Sequence, residues 1–195
     1  ALGAIGYHGL PKRRRTIREN LRKLFPEADA AFLAATTREH FDQLAEYGLL
    51  VLLLPRLRRE ERNRLCQMDD ATREKFLEYD QSGRGLILLI PHFSLNEAIS
   101  FGPRDLGLTA PASNIFRPID SKGLNRWVTR SRAKGGVELI DRRAGVRRAG
   151  SLLKKSGAFV GIFFDQHTGM SGQLNLFANA LASSTPLTDI LRRQT

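Results

Sequence analysis

The sequence changes its periodicity at Gly83, and this change limits the folds that are open to the chain. Residues 12–82 carry apolar residues at three- and four-residue spacings with few internal Gly or Pro, which predicts helices. After Gly83, short apolar runs bounded by turn residues alternate with basic amphipathic stretches, a pattern typical of strands and helices around a mostly parallel sheet. The chain is therefore predicted to be α/β, with an N-terminal helical segment at 1–82 and an α/β domain at 83–195.

Four strands and three helices are predicted after Gly83. The strands are Leu86–Ile90, Ser113–Phe116, Val137–Ile140 and Phe159–Phe164, and the helices are 95–107, 121–134 and 145–156. Gly135-Gly136 and Gly157 follow two of these helices, where a left-handed residue favours helix termination. Folds of this class bind ligands in loops at the carboxyl ends of strands. The candidate site therefore comprises the loops Pro91–Glu97, Arg117–Asp120 and Asp165–Gly172.

The composition narrows the partners and the chemistry. Lys and Arg number 31 against 20 Asp and Glu, a net charge of +11 that favours an anionic partner such as nucleic acid, anionic lipid or an acidic protein. Cys66 is the single cysteine, which excludes an internal disulfide and a cysteine-rich metal site. The longest apolar run, residues 49–54, is far shorter than the roughly 20 residues that span a bilayer.

The basic residues fall in helical runs at 12–23, 56–64, 126–134 and 142–155. A nucleic-acid-binding module would also show interleaved aromatic residues or a known reading motif. Aromatic residues make up only 8% of the chain, and Trp127 is the one obvious aromatic in a basic stretch. Nucleic acid is therefore not the expected partner, although a non-catalytic basic protein that binds membrane or nucleic acid stays an alternative.

His92 follows an apolar strand by one proline, and Glu97 lies five residues later. A carboxylate that meets the imidazole would fix its tautomer and leave the far nitrogen free to take a proton from a hydroxyl. This is the serine-hydrolase arrangement with the enzyme's serine replaced by a substrate hydroxyl. A second interpretation of the segment is a capping box, in which Ser94 and Glu97 satisfy the first amides of the following helix.

The segment His92-Phe-Ser-Leu-Asn-Glu97 resembles the HxxxxD/E motif of the lysophospholipid acyltransferase superfamily. It is most similar to the form found in the bacterial lipid A late acyltransferases. Further blocks resemble this family in the same order along the chain, and five ordered blocks over about 150 residues make a specific match. They are Asn20-Leu-Arg-Lys-Leu-Phe-Pro-Glu27, Gly83-Arg-Gly-Leu-Ile-Leu-Leu-Ile90, Phe116-Arg-Pro118 and Phe164-Asp-Gln166.

The resemblance implies a glycerol-3-phosphate acyltransferase-like fold and an O-acyltransferase of the 2.3.1 class. Such an enzyme moves a fatty acyl chain from acyl carrier protein, or from acyl-CoA, to a hydroxyl of a lipid A-type glycolipid precursor. A glycerophospholipid or another glycolipid is the alternative acceptor. His92 and Glu97 would be catalytic, and the residues expected to contact substrate are Arg117, Asp165, Asn96 and Ser94. No metal or cofactor is expected.

The same resemblance implies a location at the cytoplasmic face of the inner membrane, with acyl carrier protein and an anionic lipid or glycolipid as partners. The chain opens with an apolar segment followed by Lys12-Arg-Arg-Arg15, an order compatible with the tail of a removed membrane anchor or signal segment. Thr185-Pro186 resembles the segment that leads into a further helix of the family, so the domain is expected to be incomplete at the C-terminus.

Overall fold

The computed structural model describes residues 2–92, 95–142, 145–177 and 179–194. The chain divides into two compact units, the first being Ala1–Leu53 with Leu174–Ala182 and the second Leu54–Gln173 with Ser183–Thr195. The helices between residues 54 and 82 thus share a unit with the sheet. The division at residue 82 that the sequence indicated stays a prediction about domains.

The first unit is built on three helices, α1 (Leu2–Gly9), α2 (Pro11–Leu24) and α3 (Ala30–Leu53). Helices α1 and α3 pack around Tyr7, whose ring meets that of Phe41 edge-on at 5.7 Å between centroids. Gly3 allows this approach, because a Cβ at this position would lie 2.0 Å from Oδ1 of Asp42. Within the described part of the chain, none of the helices combines the length and apolar character needed to span a membrane.

The second unit begins with the 3₁₀ turn Leu54–Arg56 and alternates helices with the strands of a parallel sheet. Its regular elements are α4 (Arg59–Leu65), α5 (Asp70–Ser82), β1 (Leu86–Ile90), α6 (Gly102–Leu106), β2 (Ala112–Phe116), α7 (Lys122–Lys134), β3 (Val137–Asp141), α8 (Gly145–Ser156), β4 (Phe159–Phe163) and α9 (Leu187–Gln194). Between β4 and α9 the chain forms the hairpin of β5 (Gln173–Phe177) and β6 (Ala180–Ser184), of which Leu174–Ala182 belongs to the first unit.

The sheet has the strand order β1-β4-β2-β3, and each neighbouring pair is parallel. The α/β class, the parallel sheet and the N-terminal helical segment that the sequence predicted are confirmed. β4 lies between β1 and β2. It is the last of the four strands along the chain, yet it occupies a central position in the sheet. Its sequence Phe-Val-Gly-Ile-Phe is apolar on both faces, as expected for a strand covered on both sides.

Two apolar clusters fill the two faces of the sheet. On one face Ile115, Val160 and Ile162 pack with α8 and α9 in a cluster that includes Ala149, Leu152, Leu153 and Leu191. On the other face Ala112, Val137 and Phe159 pack with partly buried residues of α5, among them Phe76 and Tyr79. The second face carries the cavity described below.

The predicted helix at 95–107 is wrong as a single element. The structure has a 3₁₀ turn at Asn96–Phe101 followed by the five-residue helix α6. Pro103 explains the break, because proline has no N–H to continue the hydrogen bonding of the preceding turn but fits the first turn of a new helix. The termination role of Gly157 is confirmed by its φ of 57°, and a Cβ there would lie 2.4 Å from the Gly83 carbonyl oxygen.

Candidate functional site

His92 lies just beyond the carboxyl end of β1 and is held by Asp165, which lies just beyond the carboxyl end of β4. Ile90 pairs with Phe163 in the parallel register. His92 and Asp165 each follow two residues after these positions, so they lie next to each other at the same edge of the sheet. The His92 backbone N–H donates to Oδ2 of Asp165 at 2.6 Å, and its ring Nδ1 is 2.6 Å from Oδ1. The carboxylate therefore fixes both the loop and the ring.

The ring of His92 is oriented by two further contacts. It lies 4.4 Å from the ring of Phe163, centroid to centroid, with 37° between the planes. The side-chain nitrogen of Gln166 is 3.2 Å from Nε2 of His92. An N–H on Nδ1 that donates to Asp165 leaves Nε2 as an acceptor, which suits donation from the Gln166 amide. The His92 side chain keeps 35% of its surface exposed, so a substrate can reach it.

The charge of Asp165 is stabilised by these hydrogen bonds. Partial burial raises the pKa of the Asp165 carboxyl, but the bonds from the ring and the backbone N–H of His92 outweigh burial, and the pKa lies below its usual value. Asp165 is therefore ionised at neutral pH, and its charge would stabilise an imidazolium formed at His92.

Glu97 is not at His92 in this structure. Its carboxylate forms a two-pronged ion pair with Arg132 of α7, in which Arg132 Nε donates to Oε2 at 2.9 Å and an Nη donates to Oε1. Both side chains are largely buried. The direct contact between His92 and Glu97 that the sequence indicated is thus not formed, and Asp165 occupies the position of the orienting carboxylate. The catalytic roles themselves stay predictions.

The other predicted site residues have different surroundings. Asn96 is buried in the 3₁₀ turn after the histidine loop and lines a groove with Pro91. Arg117 is exposed and directly follows β2, the strand beside β4, so it leaves the same edge of the sheet as His92 and Asp165. Ser94, including its predicted role in a capping box, lies outside the described residues.

A cavity of about 300 Å³ opens on the sheet face of Ala112 and Phe159. Pro91, the residue before His92, forms part of its wall, so the cavity starts one residue from the histidine. Met68, Leu89 and Ile99 also line it and are substantially exposed, which gives the cavity an apolar rim. Most of the remaining wall is aliphatic or aromatic and includes Phe76, Leu88, Ile90, Leu106, Leu108 and Val137.

The sequence did not identify two residues that contact the predicted site residues, Arg132 and Gln166. Arg132 stood in a basic helical run and carried no signal beyond its charge, because its partner lies 35 positions earlier in the chain. Gln166 belongs to the block Phe164-Asp-Gln166, and its position next to Asp165 in the sequence was the one indication that it could lie at the site.

Among the residues that the structure describes, no three His, Cys, Asp or Glu side chains cluster as metal ligands. The expectation of a metal-free site stays a prediction.

The model of the bacterial lipid A biosynthesis acyltransferase family matches residues 1–195 of the chain. A search of curated proteins with the chain found no match.

Proposed function

The chain belongs to the bacterial lipid A biosynthesis acyltransferase family, and from that premise we propose that it transfers a fatty acyl group from a thioester to a hydroxyl of a glycolipid precursor. The observation that carries the proposal is the pair His92–Asp165, with 2.6 Å between Nδ1 and Oδ1 and the opposite ring nitrogen facing the amide of Gln166. A substrate hydroxyl that replaces the Gln166 amide at Nε2 would meet an imidazole ready to accept its proton.

In the proposed reaction, Nε2 of His92 takes the proton of the acceptor hydroxyl while the oxygen attacks the thioester carbonyl carbon. The attack forms the new C–O bond and gives a tetrahedral intermediate. The intermediate then collapses by breaking the C–S bond. The imidazolium then returns the proton to the leaving thiolate. Asp165 stabilises the imidazolium and holds its tautomer, the role that the carboxylate performs in a serine-protease triad.

Arg117 supports the charge that develops in this reaction. Its guanidinium is exposed and leaves the sheet edge one strand from Asp165. A planar, permanently charged fork is well suited to an oxyanion or to a phosphate of the acceptor. Glu97 and Arg132 serve a different purpose in the proposal, since their ion pair joins the segment after the histidine loop to α7 and thereby fixes the loop.

The acyl chain is proposed to lie in the 300 Å³ cavity that starts at Pro91. Its aliphatic and aromatic walls favour a hydrocarbon by excluding water from apolar surface. The donor is proposed to be acyl carrier protein, an acidic protein that the net charge of +11 would attract. The same charge favours work at an anionic membrane surface, which we propose is the cytoplasmic face of the inner membrane.

The experiment compares the protein with its His92→Ala variant in cells that lack their own late acyltransferase activity, with mass spectrometry of the extracted lipids. A new acyl-chain mass on a lipid A precursor, present with the protein and absent with His92→Ala, is expected. A new acyl chain on glycerophospholipid would reassign the acceptor. An identical lipid profile with both proteins would reject the enzymatic proposal, and oligonucleotide binding with a steep salt dependence would support the non-catalytic alternative.

A further inference from the structure

The cavity beside His92 contains a polar side chain that a simple hydrocarbon would not satisfy. Asn114 lies in β2 at the middle of the sheet, lines the cavity and is only 5% exposed. Within the described residues, no hydrogen bond reaches its side-chain amide. An amide has two donor hydrogens and an acceptor oxygen, and burying it without a partner is unfavourable.

The amide of Asn114 occupies the space above a glycine. Asn114 pairs in register with Gly161 of β4, and a Cβ at Gly161 would lie 2.1 Å from Oδ1 of Asn114. The same Cβ would lie 2.9 Å from Cδ1 of Ile90. Because Gly161 has no side chain, the amide of Asn114 can lie over the central strand β4 on the cavity face of the sheet.

The register also relates the amide to the histidine, because Gly161 lies beside Asn114 and Phe163 lies beside His92. Gly161 and Phe163 point to the same face of β4, and two residues of a strand span roughly 6.6 Å. The ring of Phe163 stacks on the ring of His92 at 4.4 Å. A chain that entered the cavity from a thioester at His92 would therefore pass Asn114 within its first half.

We propose that the cavity selects an acyl chain that carries an oxygen substituent, a hydroxyl or a carbonyl, in its thioester-proximal half, with Asn114 as the selecting residue. The inference rests on the proposed acyl transfer for its biological meaning, and it concerns binding. A site built with a hydrogen-bonding group discriminates strongly against a ligand that lacks the partner, because the buried group is then left unpaired. The aliphatic walls accept the rest of the chain.

The test measures equilibrium binding of dodecanoate, 3-hydroxydodecanoate, 5-hydroxydodecanoate and 12-hydroxydodecanoate to the full chain by calorimetry, without any transfer step. One of the two proximal hydroxy acids is expected to bind about tenfold more tightly than dodecanoate, the equivalent of one net hydrogen bond. The 12-hydroxy isomer should gain nothing, because its hydroxyl lies at the far end. Equal affinities for all four acids, or no binding, would overturn the inference.

Variants assign the preference to one residue. Asn114→Leu is expected to remove the preference for the proximal hydroxyl while keeping affinity for dodecanoate. Ser113→Ala is the matched control, since Ser113 is adjacent, 2% exposed and has a hydroxyl without a hydrogen-bond partner among the described residues. Ser113 also forms part of the cavity wall, but its side chain points to the opposite face of the sheet, because successive strand residues alternate. A preference that survives Asn114→Leu, or disappears in Ser113→Ala, contradicts the role of Asn114.

A spectroscopic measurement on the unaltered protein covers the case in which Asn114→Leu fails to fold. The side-chain amide resonances of Asn114 should shift when the preferred hydroxy acid is added and should shift less with dodecanoate. Identical shifts with both acids would overturn the inference. Binding with the expected preference in a protein that transfers no acyl group would refute the proposed function and leave the ligand assignment intact.

Discussion

The carboxylate of Asp165 accepts two hydrogen bonds from His92, one from the ring and one from the backbone, although the residues are 73 positions apart in the chain. The parallel pairing of β1 with β4 creates this relationship, because Ile90 and Phe163 are in register and each is followed two residues later by a member of the pair. The geometry distinguishes two candidate carboxylates, Asp165 and Glu97, and makes their roles separable by experiment.

Asp165→Asn is expected to lower kcat by a factor on the order of 10⁴, with a small change in KM, as when the triad aspartate of a serine protease is replaced by asparagine. The asparagine amide favours the wrong tautomer of His92. Glu97→Gln keeps the shape of the Arg132 contact and removes its charge, so it should reduce activity less and stability more. Steady-state kinetics with an acyl thioester, together with urea unfolding, check both variants. A larger kcat loss in Glu97→Gln than in Asp165→Asn would return the orienting role to Glu97.

The acid stability of the protein should depend on Asp165. Its pKa is lower in the folded protein than in the unfolded chain, where an aspartate titrates at about 3.9. The stabilisation is therefore fully present above that unfolded value and is lost as the pH falls through the lower folded pKa. The difference in unfolding free energy between the protein and Asp165→Asn should be fully present at about pH 5 and should shrink below about pH 4. A difference that stays constant to pH 3 would contradict this linkage.

The buried ion pair of Arg62 and Asp105 should contribute strongly to folding. Arg62 donates from Nε and an Nη to the carboxylate at 2.7 and 2.5 Å, and the two side chains are 9% and 12% exposed. Asp105→Asn is expected to lower the unfolding free energy by about 3–5 kcal/mol, because a buried charge loses its partner. The exposed pair Arg148–Glu138 is the control, and Glu138→Gln should change stability by less than about 1 kcal/mol. Similar losses in both variants would contradict the argument.

Asp80 of α5 fixes the segment that enters β2. Its carboxylate accepts from the backbone N–H groups of Thr109 and Ala110 and from the Thr109 hydroxyl. Partial burial raises the pKa of Asp80, yet these bonds lower it on balance. Asp80→Ala should destabilise the protein by about 2–3 kcal/mol, whereas Glu78→Ala on the same helix should stay within about 0.5 kcal/mol. Chemical unfolding measures both, and equal effects would show that the carboxylate has no special role.

Local sequence patterns predicted the sheet well because its strands are short, apolar and bounded by turn residues. β1 was predicted to the residue, and the other three strands of the parallel sheet to within one residue at each end. The break at Pro103 was missed, since the apolar spacing of 95–107 continues across it. The hairpin of β5 and β6 was also missed. Leu174 and Leu176 alternate with polar residues there, but Asn179 in a left-handed turn was not recognised as the link between two strands.

The site was predicted in part, for a reason that lies in the topology. His92 was found because its strand, its proline and its family motif are contiguous in the sequence. Its expected partner was Glu97, the nearest carboxylate in the chain, since strand order cannot be obtained from local periodicity, and the catalytic role of Glu97 stays a prediction. The insertion of β4 beside β1 brings Asp165 to the histidine, whereas Arg132 draws Glu97 to α7.

The hydrogen bond from the backbone N–H of residue 92 to Asp165 has an evolutionary consequence. Any residue except proline can donate it, so the loop can keep its path after the imidazole is lost. A homologue could therefore lose the imidazole by a single substitution and retain the fold, the cavity and the charged surface.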